Sequence, residues 1–497
     1  MTSIIRSFSA AILALVLAAG AAAAQDATPS GSPTMGGRSI DLPGARLLAL
    51  SPDGKWIAAG TPSDGNSKQL CVYNVETLAE QSCADLSGLK SRLRQDDVVW
   101  SPDSTRLAFG ENSFQFLIDG DLWMMDAVSG KLTDLTDDNF DGKLPVLNKA
   151  NMPATPIYVD ILPAWAPDGQ SITFSRSPII NGEFKGNQIA RIDLESGKVT
   201  TLVPVTRDQP GIVYYGMTWA PDGEHLYYSI MYPDTKNPNN GVWVYDTADG
   251  TAKQLLKSDP ELGPPAIMQI NASGDTGLVF YPIAAAQARA TSQLFTLLDL
   301  QRGNTTPVAP GLQDQSGSQL VAATFSPDGT QVLYAVNTAN DDGHVLMRDV
   351  RSDEITTVAD GLPRVISLLF GRGLTWATNG TALVLTAPDK GIIVSLGADH
   401  STPPPPATPS PVETASPAAS PTSNGLTPGQ TVTLTTEATL HATPSAQGQV
   451  VLTLRPGAHL TVIGDPVQSG DQTWIPVLEP ATGTLGYVDM EALGDRR

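Results

Sequence analysis

Five times along this chain an apolar or aromatic residue is followed by Ser or Ala and then by Pro-Asp-Gly or Pro-Asp-Ser. The copies are Leu50-Ser51-Pro52-Asp53-Gly54, Trp100-Ser101-Pro102-Asp103-Ser104, Trp165-Ala166-Pro167-Asp168-Gly169, Trp219-Ala220-Pro221-Asp222-Gly223 and Phe325-Ser326-Pro327-Asp328-Gly329. Two weaker copies, Ile270-Asn271-Ala272-Ser273-Gly274 and Trp376-Ala377-Thr378-Asn379-Gly380, fall where further copies are due. Measured at the third position, successive copies lie 50, 65, 54, 51, 55 and 51 residues apart. A repeat of this length makes each unit one supersecondary element that must stack on its neighbours to bury its apolar faces.

The residues inside the unit say what that element is. Pro sets φ at the second position of a tight turn, and Gly supplies the left-handed conformation that reverses the chain. An apolar run then opens a second strand, as in Ile172-Thr173-Phe174, Leu226-Tyr227-Tyr228 and Leu383-Val384-Leu385. A third strand places an apolar residue four before an acid or amide: Leu70 to Asn74, Leu122 to Asp126, Ile189 to Asp193, Val242 to Asp246 and Val345 to Asp349. Turns such as Ser129-Gly130, Ser196-Gly197 and Asp249-Gly250 follow, and then a fourth strand, as in KLTDLT or EITTVA. Four antiparallel strands per unit of about 50 residues make the blade of a β-propeller.

These repeats resemble the WD40-like propeller repeats of the TolB family, whose mark is the [WF]-[SA]-P-D-G turn. The resemblance covers residues 38–398 and implies an all-β fold of seven blades, with six as the alternative if the fifth or seventh unit is irregular. The seventh unit supplies three strands, so Ser39-Ile40-Asp41-Leu42 is expected to complete it and clasp the ring. The TolB family carries an α/β domain ahead of its propeller, and the short stretch before residue 38 leaves no room for one. A TolB-type envelope role is therefore not carried over. Related propellers precede prolyl-oligopeptidase-type hydrolases, but the chain has no G-x-S-x-G nucleophile elbow.

Residues 1–24 place Arg6 ahead of an Ala/Ile/Leu/Val run that ends in Ala22-Ala23-Ala24, the pattern of a secretory signal cleaved before Gln25. Residues 25–37 read as a disordered N-terminus. The expectation is a secreted or periplasmic, envelope-associated monomer without a membrane span and without a lipid-modified cysteine. Cys71 and Cys83 are the two cysteines, and they flank an apparent hairpin. In an oxidising compartment such a pair most simply forms a disulfide, with two buried thiols as the alternative.

Residues 399–425 form a Pro/Ser/Thr/Ala-rich linker. Within 401–424, Pro, Ser, Thr and Ala make up 21 of 24 positions, a composition that cannot bury a core. Residues 426–497 then return to short strands and resemble a bacterial SH3-like domain, a small β-barrel. The matching marks are Leu440-His441-Ala442-Thr443-Pro444-Ser445, Leu454-Arg455-Pro456-Gly457, Trp474-Ile475-Pro476-Val477 and Gly486-Tyr487-Val488. That resemblance implies binding of cell-wall peptide or polysaccharide through aromatics, for which Trp474 and Tyr487 are the candidates; core packing is the alternative. His441 stands where the family usually has Arg.

With 30 Lys+Arg against 51 Asp+Glu, the net charge of −21 repels phosphate backbones and anionic lipid surfaces, which excludes nucleic acid as a partner. The five histidines (His225, His344, His400, His441 and His459) are scattered and give no zinc motif. Asp137, Asn139 and Asp141, with Gly142 following, match the first half of a calcium loop, but Asn148 stands where the bidentate Glu belongs. No cofactor is otherwise expected. In a propeller, interblade connections share one face with the loops between second and third strands. Phe114, Phe116, Phe184, Tyr214, Tyr215 and Tyr232 fall in these segments and are candidate ligand-binding aromatics. The functional expectation is a non-enzymatic binding or scaffold protein that holds a protein or glycan on this face. The alternative is a lyase or hydrolase that uses acids or a metal in the propeller channel.

Overall fold

The computed structural model describes residues 37–62, 67–89, 93, 97–111, 120–138, 156–180, 183–204, 213–232, 234–286, 293–312, 317–366, 373–396, 431–441, 444–446, 450–462, 466–469, 472–479 and 484–493. Seven consecutive antiparallel sheets of four strands make seven blades, the third with an extra short strand, Glu183–Phe184. Blade 1 comprises Arg46–Leu50, Trp56–Thr61, Gln69–Asn74 and Glu80–Asp85, and blade 2 comprises Val99–Trp100, Arg106–Gly110, Leu122–Asp126 and Leu132–Asp134. Blade 3 runs through Ile157–Trp165, Ser171–Ile180, Gln188–Asp193 and Val199–Val203, and blade 4 through Val213–Trp219, His225–Met231, Gly241–Asp246 and Ala252–Lys257. Blade 5 begins at Ala266–Ile270, blade 6 at Gln319–Phe325 and blade 7 at Leu374–Trp376. The molecule is a β-propeller, and the seven-blade reading holds over the six-blade alternative.

Each blade buries its apolar side chains against the next. Leu70, Val72 and Ala84 of blade 1 pack with Leu107, Phe109 and Met125 of blade 2. Between blades 2 and 3 the corresponding set is Ala108, Leu122, Ile172 and Phe174. The Trp of the repeated turn ends the first strand and reaches into the preceding blade. Trp100 Nε1 donates to the Ala49 carbonyl at 3.2 Å, Trp165 Nε1 to the Val99 carbonyl at 3.3 Å, and Trp219 Nε1 to Thr173 Oγ1 at 2.9 Å. A buried indole needs such an acceptor.

Arg38–Asp41 closes the ring. It pairs with Lys390–Ser395 as the outermost strand of blade 7, with Ser39 opposite Ile392 and Ile40 opposite Gly391. Ile40, Leu383, Leu385 and Ile393 then share a core with Leu47, Leu50, Ile57 and Ala59 of blade 1. At the turn face, Thr378 donates its amide and hydroxyl to the Pro52 carbonyl at 2.8 and 3.0 Å.

The repeated turn is held by its own side chains. Ser51 Oγ donates to Asp53 Oδ1 at 2.6 Å and accepts from the Trp56 amide at 3.0 Å, while Asp53 Oδ1 accepts from the Lys55 amide. Blades 2 and 6 repeat this with Ser101/Asp103 and Ser326/Asp328. In the weak fifth copy Asn271 does both jobs, accepting from the Asp275 and Thr276 amides. Gly54 needs its left-handed φ of 72°, and a Cβ there would meet the Asn379 side chain of blade 7 at 2.2 Å.

On the same face, the acid that ends the third strand of blades 2 to 6 caps the following turn. Asp126 Oδ1 accepts from the Ser129 hydroxyl and amide, and Asp193 Oδ1 accepts the same pair from Ser196. These Ser bonds hold both carboxyls below their ordinary value of 3.8. Asp349 is lowered chiefly by the Ser352 amide. His225 is raised above 6.5, chiefly by its 2.7 Å bond to Asp222.

Cys71 and Cys83 stand opposite each other in blade 1 and are joined in a disulfide. No helix among the described residues is long and apolar enough to cross a membrane. After the propeller, seven strands between Thr431 and Asp489 form one further antiparallel sheet. Its core is Leu434, Leu440, Leu454, Leu460, Val462, Ile475, Val477 and Val488.

The turn carboxylates and His225 have opposite pH signs. Carboxyls lowered on folding stabilise fully above the unfolded value near 3.8 and lose that contribution as pH falls through the folded values. His225, raised on folding, stabilises below 6.5 and loses its contribution as pH rises through the folded value. Thermal melts between pH 3 and 8 are expected to drop on the acid side below about pH 4. His225→Gln is expected to flatten the alkaline limb while leaving the acid-side contribution of Asp126, Asp193 and Asp349 intact.

Candidate functional site

Blade 3 projects on the loop face at its junction with blade 2. Its first strand, Ile157–Trp165, has nine residues and its second, Ser171–Ile180, has ten, whereas blade 2 begins with the two-residue strand Val99–Trp100. The long first strand bends where Leu162 takes a φ of 57° and the register shifts between Ile161 and Ala164. Asp97 of blade 2 secures the bend by accepting from the Leu162 amide at 3.0 Å. Gly120 adds a main-chain link, its carbonyl accepting from the Asp160 amide at 2.7 Å.

Inside this junction Asp160 and Arg176 stand opposite each other in the hairpin and form a buried bidentate pair. Nε donates to Oδ1 at 2.9 Å and Nη2 to Oδ2 at 2.7 Å. Burial pushes the Asp160 carboxyl upward and Arg176 opposes it; Thr136 also hydrogen-bonds the carboxyl and Asp121 adds repulsion. The guanidinium lies 4.3 Å over the Tyr158 ring and 5.3 Å from the Phe174 ring, so an aromatic sleeve surrounds the cation.

Further acids surround this pair. Asp138 Oδ2 accepts from the Tyr158 amide at 2.9 Å, and buried Glu111 accepts from Trp123 Nε1 at 2.9 Å. Asp121, Asp134 and Asp137 bring carboxylate oxygens within 4.8 Å of one another, graded from buried through half-buried to exposed. Oxygen ligands at 2.3–2.6 Å from a calcium ion fit such spacing, so these three residues could hold a divalent cation. Cys71, Glu80 and Cys83 also converge, but their sulfurs are committed to the disulfide. Asp97, Glu111, Asp138 and Asp160 hold main chain, indole or guanidinium, which fits them for anchoring the junction.

The expected site residues are distributed differently. Phe114, Phe116, Asn139 and Asp141 lie outside the described residues. Phe184 sits in the short strand pairing with Ser171–Ile180, and Tyr214 and Tyr215 lie in the first strand of blade 4. Tyr232 is not a rim aromatic. It is 4% exposed and packs in the core shared by blades 3 and 4, where its amide donates to Asn240 Oδ1. Asp137 is joined by Asp121 and Asp134, two strand-flanking acids distant from it in the calcium-loop pattern. Trp474 and Tyr487 are 2% and 0% exposed, so neither offers a face to solvent.

Sequence reasoning passed over Asp160 and Arg176, although each is a lone charge within an apolar strand, IYVDILPAW and SITFSRSPII. A charge at a core-facing position demands a partner, and opposed positions in a hairpin supply one.

No family model matches the chain, and no curated protein matches it. Solved structures do. An oligogalacturonate lyase in complex with manganese is 10% identical with a TM-score of 0.46, covering 76% of this chain and 100% of its own. TolB from Acinetobacter baumannii is 13% identical with a TM-score of 0.37, covering 71% of this chain and 79% of its own. The β-propeller domain of Cps50 (Swd1) from Myceliophteria thermophila is 10% identical with a TM-score of 0.45, covering 73% and 99%. Identities and scores this low transfer no activity, and the functional reading rests on this chain's own residues.

The buried pair makes a sharp expectation. Arg176→Met alone leaves Asp160 buried without its cation and is expected to cost about 3–5 kcal/mol, while Arg176→Met with Asp160→Leu is expected to cost clearly less. Denaturant unfolding of wild type and both variants measures the difference; equal costs would mean that the pair is not coupled.

Proposed function

We propose that the protein is an extracytoplasmic, non-enzymatic binding protein that grips a basic segment of a partner protein at the junction of blades 2 and 3. The carrying observation is the convergence of Asp121, Asp134 and Asp137, with the adjacent Asp138 bonded to the Tyr158 amide, on the face where the long hairpin of blade 3 projects. A carboxylate-rich rim attracts Lys and Arg and speeds their association. Asp97, Glu111, Asp138 and Asp160 act as anchors, which favours binding over acid–base chemistry. The C-terminal module, read as SH3-like, would then hold the protein near cell-wall peptide or polysaccharide.

A Lys/Arg-rich peptide titrated into the full chain is expected to bind with an affinity that falls steeply with salt. Asp134→Asn with Asp137→Asn is expected to weaken it about tenfold or more while leaving the melting temperature near wild type. Equal affinity in wild type and double variant would overturn the reading.

A second reading, favoured by the three carboxylates within 4.8 Å, is a calcium ion that cross-links the junction. Calcium would then raise the melting temperature of wild type, a chelator would reverse the rise, and Asp137→Asn would abolish it. A wild-type melt unmoved by calcium and chelator removes this reading.

A further inference from the structure

Strand alternation divides the C-terminal module into two faces. Along Gln472–Glu479, Ile475 and Val477 enter the module's own core, so Trp474 and Pro476 point the other way; along Thr484–Asp489, Val488 enters the core and Tyr487 points away. Residues on the outer face of so small a module should be wet. Instead Tyr487 is 0% exposed, Trp474 2% and His441 7%, with the His441 and Trp474 rings in edge contact at 5.1 Å. His441 and Tyr487 stand opposite each other in the sheet, as do Pro476 and Tyr487. Something outside the module covers this face.

The cover is the propeller. Tyr487 Oη donates to the Thr201 carbonyl at 2.8 Å, on Val199–Val203, the outermost strand of blade 3. That strand pairs on one side with Gln188–Asp193, and its other edge faces outward, where its carbonyls need donor partners. Beside it, buried Pro444 of the module lies 3.8 Å from the position a Cβ would occupy on Gly250 in the turn of blade 4, and the hydroxyl of Tyr245, from the strand before that turn, lies 3.7 Å from the same point. Two module residues thus meet two adjacent blades.

We propose that the C-terminal module docks on the outer edges of blades 3 and 4 through Tyr487 and Pro444, and that this docking masks the Trp474–Tyr487 face. The device is independent of what that face binds. Trp474 Nε1 is buried without a hydrogen-bond partner, so the covered face keeps one donor unsatisfied that an incoming acceptor could use on release. Because the module and propeller are one chain, docking is intramolecular, and a small contact suffices to keep it closed. Competition for the masked face, by a ligand that binds the open form, would shift the balance.

Hydrogen exchange and small-angle scattering on the full chain test the contact. Tyr487→Phe keeps the ring and removes the donor, and Pro444→Glu disturbs the contact from its other end. Both are expected to raise amide exchange across residues 199–203 about fivefold and to enlarge the radius of gyration. Exchange in residues 472–479, the module's central strand, is expected to stay at the wild-type rate, which separates undocking from unfolding. Unchanged exchange in 199–203 together with unchanged scattering in both variants would overturn the proposal. A rise in 199–203 for Pro444→Glu alone, with Tyr487→Phe at the wild-type rate, would overturn the role given to the Tyr487 hydroxyl.

Discussion

No blade of this protein can stand alone, and the packing of blade on blade is the constraint from which the rest follows. A four-stranded sheet with apolar side chains on both faces needs a neighbour on each side. Seven such sheets satisfy that requirement only as a closed ring, in which blade 7 and blade 1 share the Ile40, Leu47, Leu383 and Ile393 core. The Arg38–Asp41 strand closes the ring by hydrogen bonding, since chain continuous with blade 1 pairs within the sheet of blade 7. The indoles of Trp100, Trp165 and Trp219 add directional bonds across successive seams.

A rigid ring lets one sector depart from the pattern. Between blades 2 and 3 the interval is the longest, and the chain uses it to extend a hairpin, bend it at Leu162 and bury Asp160 with Arg176. Burying a charge pair costs desolvation that only close, bidentate geometry offsets. The surrounding acids hold main chain and indole in place, and the acid cluster grades outward to Asp137 at the surface. Charge and aromatic surface are therefore concentrated in one sector of the loop face, displayed on strands that the neighbouring cores keep in position.

Much of this was legible in the residues. The turn motif is local chemistry: Pro and Gly dictate backbone angles, and the Ser and Asp of a turn find each other within two residues, so the blade count and the ring could be read directly. The cysteine pair was readable for the same reason, since one hairpin brings Cys71 opposite Cys83. The aromatics were less readable. Tyr232 lies in a loop-like sequence yet packs into the core of blades 3 and 4, because exposure depends on which neighbouring blade lies over a residue. Trp474 and Tyr487 alternate with the module's core residues, as exposed ligand-binding aromatics would, and only the covering blades distinguish the two cases.

By itself the sequence determined the unit, its turns, the number of units and the strand that closes them, since each of these rests on contacts within about ten residues or on periodicity along the chain. Tertiary structure alone decided which acids converge. Asp121, Asp134 and Asp137 approach one another, and Asp97 reaches Leu162, because two blades meet at a fixed angle and offset. It also decided which aromatics are covered. Convergence and cover are relations between elements far apart in the chain, and such relations depend on how whole faces fit together, which no local spacing encodes.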